Sequence, residues 1–381
     1  MSQWPMVKLG DVANINMGQS PKTADINSDS IGTPVIGGMS EFTEHGLDTD
    51  KWTTTPSKIC KEGDIILSIR ATIGPHRVAD KNYCIGRGVC AITPKSSVDA
   101  DYLRSCLTKF RPYLIKAAKG ATFLQVTKTD VNNLQIPFPP LEKQAEIAEV
   151  LRNSAQQITL QQNSIKQTSS ICSNYYSLIQ KDNYPELSLM NAGITKTSGK
   201  SITAKGNDPH ETNRVLKVNA VSSGSFKPEE SKPLPKSYSP HPSHSVCYGD
   251  LLFARASGTA ALLGACTIVD KTVDNIFLPD KIWNLHTNGS PISKFYLLEA
   301  LRSNNFRKIA ESQFSSSTGV KNIKTSVLMN FAVKVPPPDT LNKFNQVFKY
   351  TASIIQKQKE KLALLEELHQ SLATRAFAGQ L

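Results

Sequence analysis

A chain of 381 residues has room for two ordinary domains plus long connecting helices. Its 44 Lys and Arg against 32 Asp and Glu give a formal net charge of +12, which points to a polyanionic partner, nucleic acid first, or else to a merely basic soluble protein. The most apolar stretch, 260–269, is far too short to span a bilayer, and Met1-Ser2-Gln3-Trp4-Pro5 starts no basic-then-apolar leader, so a soluble cytoplasmic protein is expected.

In chain order, residues 64–69 and 88–92 read as short strands bounded by Gly, Pro and Asp. A helix is expected over 100–118, then a turn at Gly120-Ala121-Thr122 and a last strand over 134–138. Pro139-Pro140 ends that strand and launches a helix over 142–181, about 60 Å long at 1.5 Å per residue. The same series then recurs. Pro185 to Leu189 matches Pro5 to Leu9 at an offset of 180, and Gly249-Asp250 matches Gly63-Asp64 at 186. A polar, Pro- and Ser-rich stretch over 222–245 reads as an exposed loop. A second helix near 292–313 leads to Ser315-Ser316-Ser317-Thr318-Gly319, a strand over 331–335, and Pro336-Pro337, which lies 197 positions beyond Pro139-Pro140.

The offset of 197 then holds through both long helices. In the first, apolar and small polar residues recur at spacings of four and three: Ile147, Leu151, Ser154, Ile158, Gln161, Ile165, Thr168, Cys172, Tyr175 and Ile179. In the second the same register carries Phe344, Phe348, Thr351, Ile355, Gln358, Leu362, Leu365, His369, Leu372 and Ala376. This 3.5-residue period is what a coiled-coil seam requires. Gln161 and Gln358 are candidates for setting the register of an antiparallel pair, or else lie off it. The expected fold is α+β: two similar globular heads joined by two long antiparallel, coiled-coil-like helices, as an internal pseudo-two-fold repeat. The domains expected are a head over 1–138, a spacer helix over 139–182, a second head over 183–335 and a C-terminal spacer helix over 336–381.

Seven cysteines without a Cys-x-x-Cys pair, mostly in apolar surroundings, read as buried reduced thiols. Enzyme motifs fail. Gly193 to Ser201 places five residues between its glycines where a phosphate loop has four, and Gly86-Arg87-Gly88 lacks a third glycine. His241, His244 and Cys247 form one loop cluster with no second ligand pair, so no metal is expected. No catalytic residue is assigned.

The binding signal is a basic segment in each half. Over 103–129 there are Arg104, Lys109, Arg111, Lys116, Lys119 and Lys128 with no acidic residue, and over 300–325 there are Arg302, Arg307, Lys308, Lys321 and Lys324 against a single Glu311. Each segment holds a turn of small hydroxyl residues, which lets a phosphate backbone approach closely; the alternative is a solvated helix face. Arg70, His76 and Arg77 in the first half and Arg255 in the second follow the Gly-Asp strands, placed either for guanine or as structural ion-pair partners. The candidate DNA-binding residues are Arg70, Arg77, Arg87, Lys116, Lys119, Thr122, Lys128, Arg255, Lys281, Ser316, Lys321 and Lys324. Ile158, Gln161, Ile165, Ile355, Gln358 and Leu362 are the candidate helix-seam and partner-interface residues.

With repeat, seam and basic turns in place, the chain resembles the specificity subunits of type I restriction-modification enzymes. Its opening Trp4 to Val12 looks like the start of a target-recognition domain, and Tyr83 to Gly88 and Phe277 to Trp283 are similar to phrases inside such domains. Ile136-Pro137-Phe138-Pro139-Pro140-Leu141-Glu142-Lys143-Gln144 resembles the family's strand-to-helix junction, and the ending from Ser371 to Leu381 its last helix end. The second junction departs from the pattern, with Pro338-Asp339-Thr340-Leu341-Asn342-Lys343. The resemblance implies a non-catalytic subunit whose two target-recognition domains each read half of a split double-stranded DNA target. It implies helices that dock methyltransferase subunits, and a motor-endonuclease subunit as a further partner. S-adenosylmethionine, ATP and Mg would sit on those partners, none on this chain. The rival reading is a stand-alone DNA-binding or architectural protein of the same fold.

Overall fold

The structure, a computed structural model, describes residues 3–120, 124–200, 202, 212–222, 224–258, 263–312, 315–317 and 320–381. The chain forms two units, Met1–Gln162 with Glu360–Leu381, and Asn163–Lys359. Two long helices, Leu141–Ile179 and Pro338–Ala378, each contribute one part to either unit.

Each unit is shut by a strand pair that joins its two ends. In the first, Met6–Lys8 runs antiparallel to Gln135–Pro137, with Met6 opposite Pro137. In the second, Glu186–Ser188 runs antiparallel to Ala332–Lys334, with Glu186 opposite Lys334. The flanking bonds match too: Leu9 N–H donates to Leu134 O at 2.9 Å as Leu189 donates to Phe331 O at 2.9 Å. The paired strands stand 180 and 197 positions apart between units, the offsets of the sequence repeat.

The main sheet has four antiparallel strands in the same order in both units. The first runs Ala13–Met17, Val89–Pro94, Ile65–Ser68, His76–Val78; the second runs Thr195–Ser198, Ile282–His286, Leu251–Ala254, Cys266–Ile268. The middle strands are buried on both faces, so their sequences are continuous apolar runs without alternation. Ile65 and Leu67 face one core and Ile66 another; Leu251 and Phe253 face one core, Leu252 and Ala254 another. The Gly-Asp pair before each strand makes a turn. Gly63 and Gly249 sit at φ +86° and +85°, where a side chain is strained, and the carboxylates of Asp64 and Asp250 accept from the N–H groups of Lys61 and Cys247, both at 2.8 Å.

The helices expected over 100–118 and 292–313 are each broken in two. The first stops at Lys109 and restarts as Arg111–Ala117, because Pro112 lacks an N–H and forces a new first turn. The second stops at Arg302 and restarts at Asn304 around Ser303, whose hydroxyl receives the Phe306 N–H at 3.3 Å.

All the seam positions are buried or half-buried, with solvated neighbours. The two helices run antiparallel inside each unit. In the first unit, Leu151 shares a core with Phe377, and Ser154 Oγ lies 2.7 Å from His369 Nδ1. In the second, Tyr175 stacks on Phe344 and Cys172 hydrogen-bonds Thr351. Those two polar pairs, Ser154–His369 and Thr351–Cys172, are the same seam positions exchanged by the repeat. Gln358 Nε2 donates to Ser164 Oγ at 2.9 Å and Thr168 Oγ1 at 3.2 Å, while Gln161 is 8% exposed. Six of the seven thiols are buried; burial pushes Cys60 and Cys266 up to about 11 and Cys90 up to about 12, so they stay protonated.

The unusual second junction has a physical reason. In the first unit the fully buried Gln144 accepts the Asp99 N–H at 2.8 Å and donates to Pro139 O at 2.9 Å, while Asp99 caps the next helix through Tyr102 N–H. Its counterpart 197 positions on is Leu341, which is apolar and buried; the tie moves one turn along, to Asn345, which accepts from Ser293, the cap of Tyr296. Gln144→Leu should therefore lower stability by about 2–4 kcal/mol, since it leaves a buried N–H and a buried carbonyl without partners. Urea unfolding measures this, and an unchanged midpoint would remove Gln144 as the tie.

Candidate nucleic-acid interface

The basic groups converge at one end of the main sheet. As the strand Ile65–Ser68 ends, Ile69 N–H donates to Gly88 O at 2.9 Å and its carbonyl accepts from Val126 at 3.0 Å. One residue on, Arg70 bridges Gln125, and Gln125 exchanges both backbone bonds with Lys119 at 3.0 and 2.9 Å. Arg70, Lys119 and Arg87, which precedes Gly88, are exposed around this node. Gly86 and Gly88 are glycines here because the chain at Gly37 crosses them; a Cβ on Gly88 would meet Gly37 O at 2.3 Å. Thr122 lies outside the described residues.

The second unit builds the same node. Arg255 N–H donates to Lys281 O at 3.0 Å and Arg255 O accepts from Ile323 at 2.8 Å. Ala256 and Ser257 then pair with Asn322 and Lys321, and Ser315–Ser317 pairs with Val320–Asn322, with Ser316 opposite Lys321. The middle strand carries an amide in both units, Gln125 and Asn322, 197 positions apart. These amides were not singled out from sequence, although the repeat would have marked them.

Other candidates stand elsewhere. The Arg77 guanidinium donates to Thr43 O at 2.8 Å and His76 O at 2.9 Å and so clamps a loop. Lys128 opens the helix Lys128–Asn132 and Lys324 caps Thr325–Met329; both are exposed, as is Lys116 at the end of Arg111–Ala117. The Thr127 hydroxyl and N–H hold the Asp130 carboxyl below the usual carboxylate range, with Lys119 adding to it.

A cavity of about 640 Å³ in the first unit is lined by His76, Arg104, Arg111, Arg152, His369 and Phe377 among others. Burial holds His76 below its ordinary value of 6.5, reinforced by Arg104 and Arg77. A histidine kept neutral in the fold takes up a proton on unfolding, so stability is full above pH 6.5 and falls as the pH drops below it. The urea midpoint should fall between pH 7.5 and pH 5.5, and fall less in His76→Gln; equal drops would place the acid sensitivity elsewhere. Among the described residues no group of three or more His, Cys, Asp or Glu could hold a metal, and no helix is long and apolar enough to cross a membrane.

Residues 1–168 match the family described as the type I restriction modification DNA specificity domain. A putative type I restriction enzyme MjaX specificity subunit from Methanocaldococcus jannaschii is 35% identical over 152 residues, 39% of this chain and 36% of that one. Residues 1–168 thus carry the likeness to the type I DNA specificity domain. The EcoKI specificity subunit of Escherichia coli is 22% identical over 74% of this chain and 65% of its own length. The type I restriction-modification system S subunit of M. genitalium shares the fold over 99% of this chain and 96% of that one, at 14% identity and a TM-score of 0.59. The matches to the two curated relatives thus span about a third to two thirds of their lengths. The matched stretch contains Arg70, Arg87, Lys119 and Gln125 of the first node.

Proposed function

We propose that this chain recognises double-stranded DNA as the specificity subunit of a type I restriction-modification complex and performs no catalysis itself. Each unit reads one half of a split target. The long helices dock methyltransferase subunits, and a motor-endonuclease subunit joins the complex. S-adenosylmethionine, ATP and Mg belong to those partners. The observation that carries the reading is the convergence, in both units, of the strand-end and basic-turn residues at one node: Arg70 with Lys119 through Gln125, and Arg255 with Lys281 and Lys321.

Arg70→Ala with Lys119→Ala should weaken binding to every duplex alike and reduce the slope of log K against log salt by up to about 1.8, two phosphate contacts' worth. Fluorescence anisotropy with a duplex of about 30 base pairs between 50 and 200 mM salt reads it. An unchanged affinity and slope would take this node off the DNA.

A further inference from the structure

An arginine occupies a core-facing position in the second unit. Leu251 and Phe253 alternate into the main core, and residue 255 follows on the same face. Its counterpart is Ile69, for the backbone bonds of Arg255 to Lys281 and Ile323 repeat those of Ile69 to Gly88 and Val126. Ile69 is 1% exposed and lies in the core with Ile65 and Leu67. The neighbour across the ladder changes with it. Cys90 pairs with Leu67 in the first unit, and Trp283 pairs with Phe253 in the second. An isoleucine and a thiol are thus replaced by an arginine and an indole.

The Arg255 guanidinium carbon lies 5.3 Å from the centroid of the Trp283 ring, Lys196 Nζ lies 4.4 Å from it, and Phe253 stacks on it at 6.0 Å. Arg255 Nε is buried with no hydrogen-bond partner, and among the described residues no carboxylate pairs with this arginine. A buried, unsatisfied N–H opposes folding, and the isoleucine of the first unit avoids that cost at the same node. What the arginine adds is a planar fork of donors held against an aromatic face, and that fork matches the O6 and N7 acceptors of guanine.

We infer that Arg255 reads a guanine in the half-site of the second unit, with Trp283 as its positioning residue, and that the first unit has no equivalent contact. The inference rests on the DNA-recognition reading above. The test is enrichment of the full chain on a duplex library with a randomised core of about 30 base pairs, followed by sequencing. The wild type should enrich two half-sites, with one guanine preferred roughly tenfold to a hundredfold at a position lost in Arg255→Ile. The other half-site should be unchanged, and the melting temperature equal or higher. Arg255→Lys, which keeps the charge without the fork, should lose the same guanine; Trp283→Phe should keep it and Trp283→Leu weaken it. If Arg255→Ile does not fold, Arg255→Lys decides. Identical enrichment by wild type and both Arg255 variants would overturn the inference and leave DNA recognition intact. No enriched sequence from the wild type would overturn both.

Discussion

Exchanging residues 185–335 for the same stretch of a relative should rewrite one half of the DNA sequence this chain is proposed to read and leave the other half unchanged. The exchange points are physically favourable. Glu186–Ser188 and Ala332–Lys334 pair with each other, so both ends of the transplanted segment stay bonded within it. Val335 N–H also donates to Pro185 O at 2.8 Å. Inside lie the second sheet, the node of Arg255, Lys281 and Lys321, and most of the unit's core. The graft must still accept the helix side chains that complete that core, Tyr176, Ile179, Leu341 and Phe344. A donor that keeps Tyr296 meets this need, since Tyr296 packs against both Tyr176 at 5.0 Å and Phe344 at 5.3 Å. Library enrichment reads the outcome. A change in both half-sites would end the idea of two independent readers.

Inserting four residues into each long helix, after Gln162 and after Lys359, should lengthen the unread spacer of the proposed split target by about two base pairs. Four residues add about 6 Å of helix and roughly one turn, and B-DNA rises about 3.4 Å per base pair. The positions matter because both unit boundaries fall there. The Ser154–His369 pair lies wholly in the first unit, and the bonds of Gln358 to Ser164 and Thr168 wholly in the second, so each side keeps its seam. The same insertion in one helix alone, near Ser169, would separate Thr168 from Cys172 and break register with Gln358 and Thr351. The paired insertion should preserve both half-sites. An unaltered spacer with undiminished binding would mean that the helices serve for docking and do not measure distance.

The repeat, the seam and the last strand of each head were legible in the sequence because they are periodic or local. A 3.5-residue period places Ile147 through Ile179 on one face whatever lies opposite. A Gly before Asp makes its turn through its own dihedral and its own carboxylate, as Gly63 and Gly249 do. The break at Pro112 is equally local, yet the helix expected over 100–118 ran through it, as the one expected over 292–313 ran through Ser303. Partnership between distant side chains belongs to the tertiary structure. Arg70 and Lys119 are 49 positions apart in the chain, and only folding sets them on either side of Gln125. Arg77 looks like Arg70 in sequence, yet its guanidinium is taken up by the carbonyl of Thr43, 34 positions away. The offset of 186 already aligned Arg255 with Ile69. That the arginine lies on the ring of Trp283 with its Nε unsatisfied required the folded core, since burial and hydrogen bonding depend on neighbours that periodicity does not name.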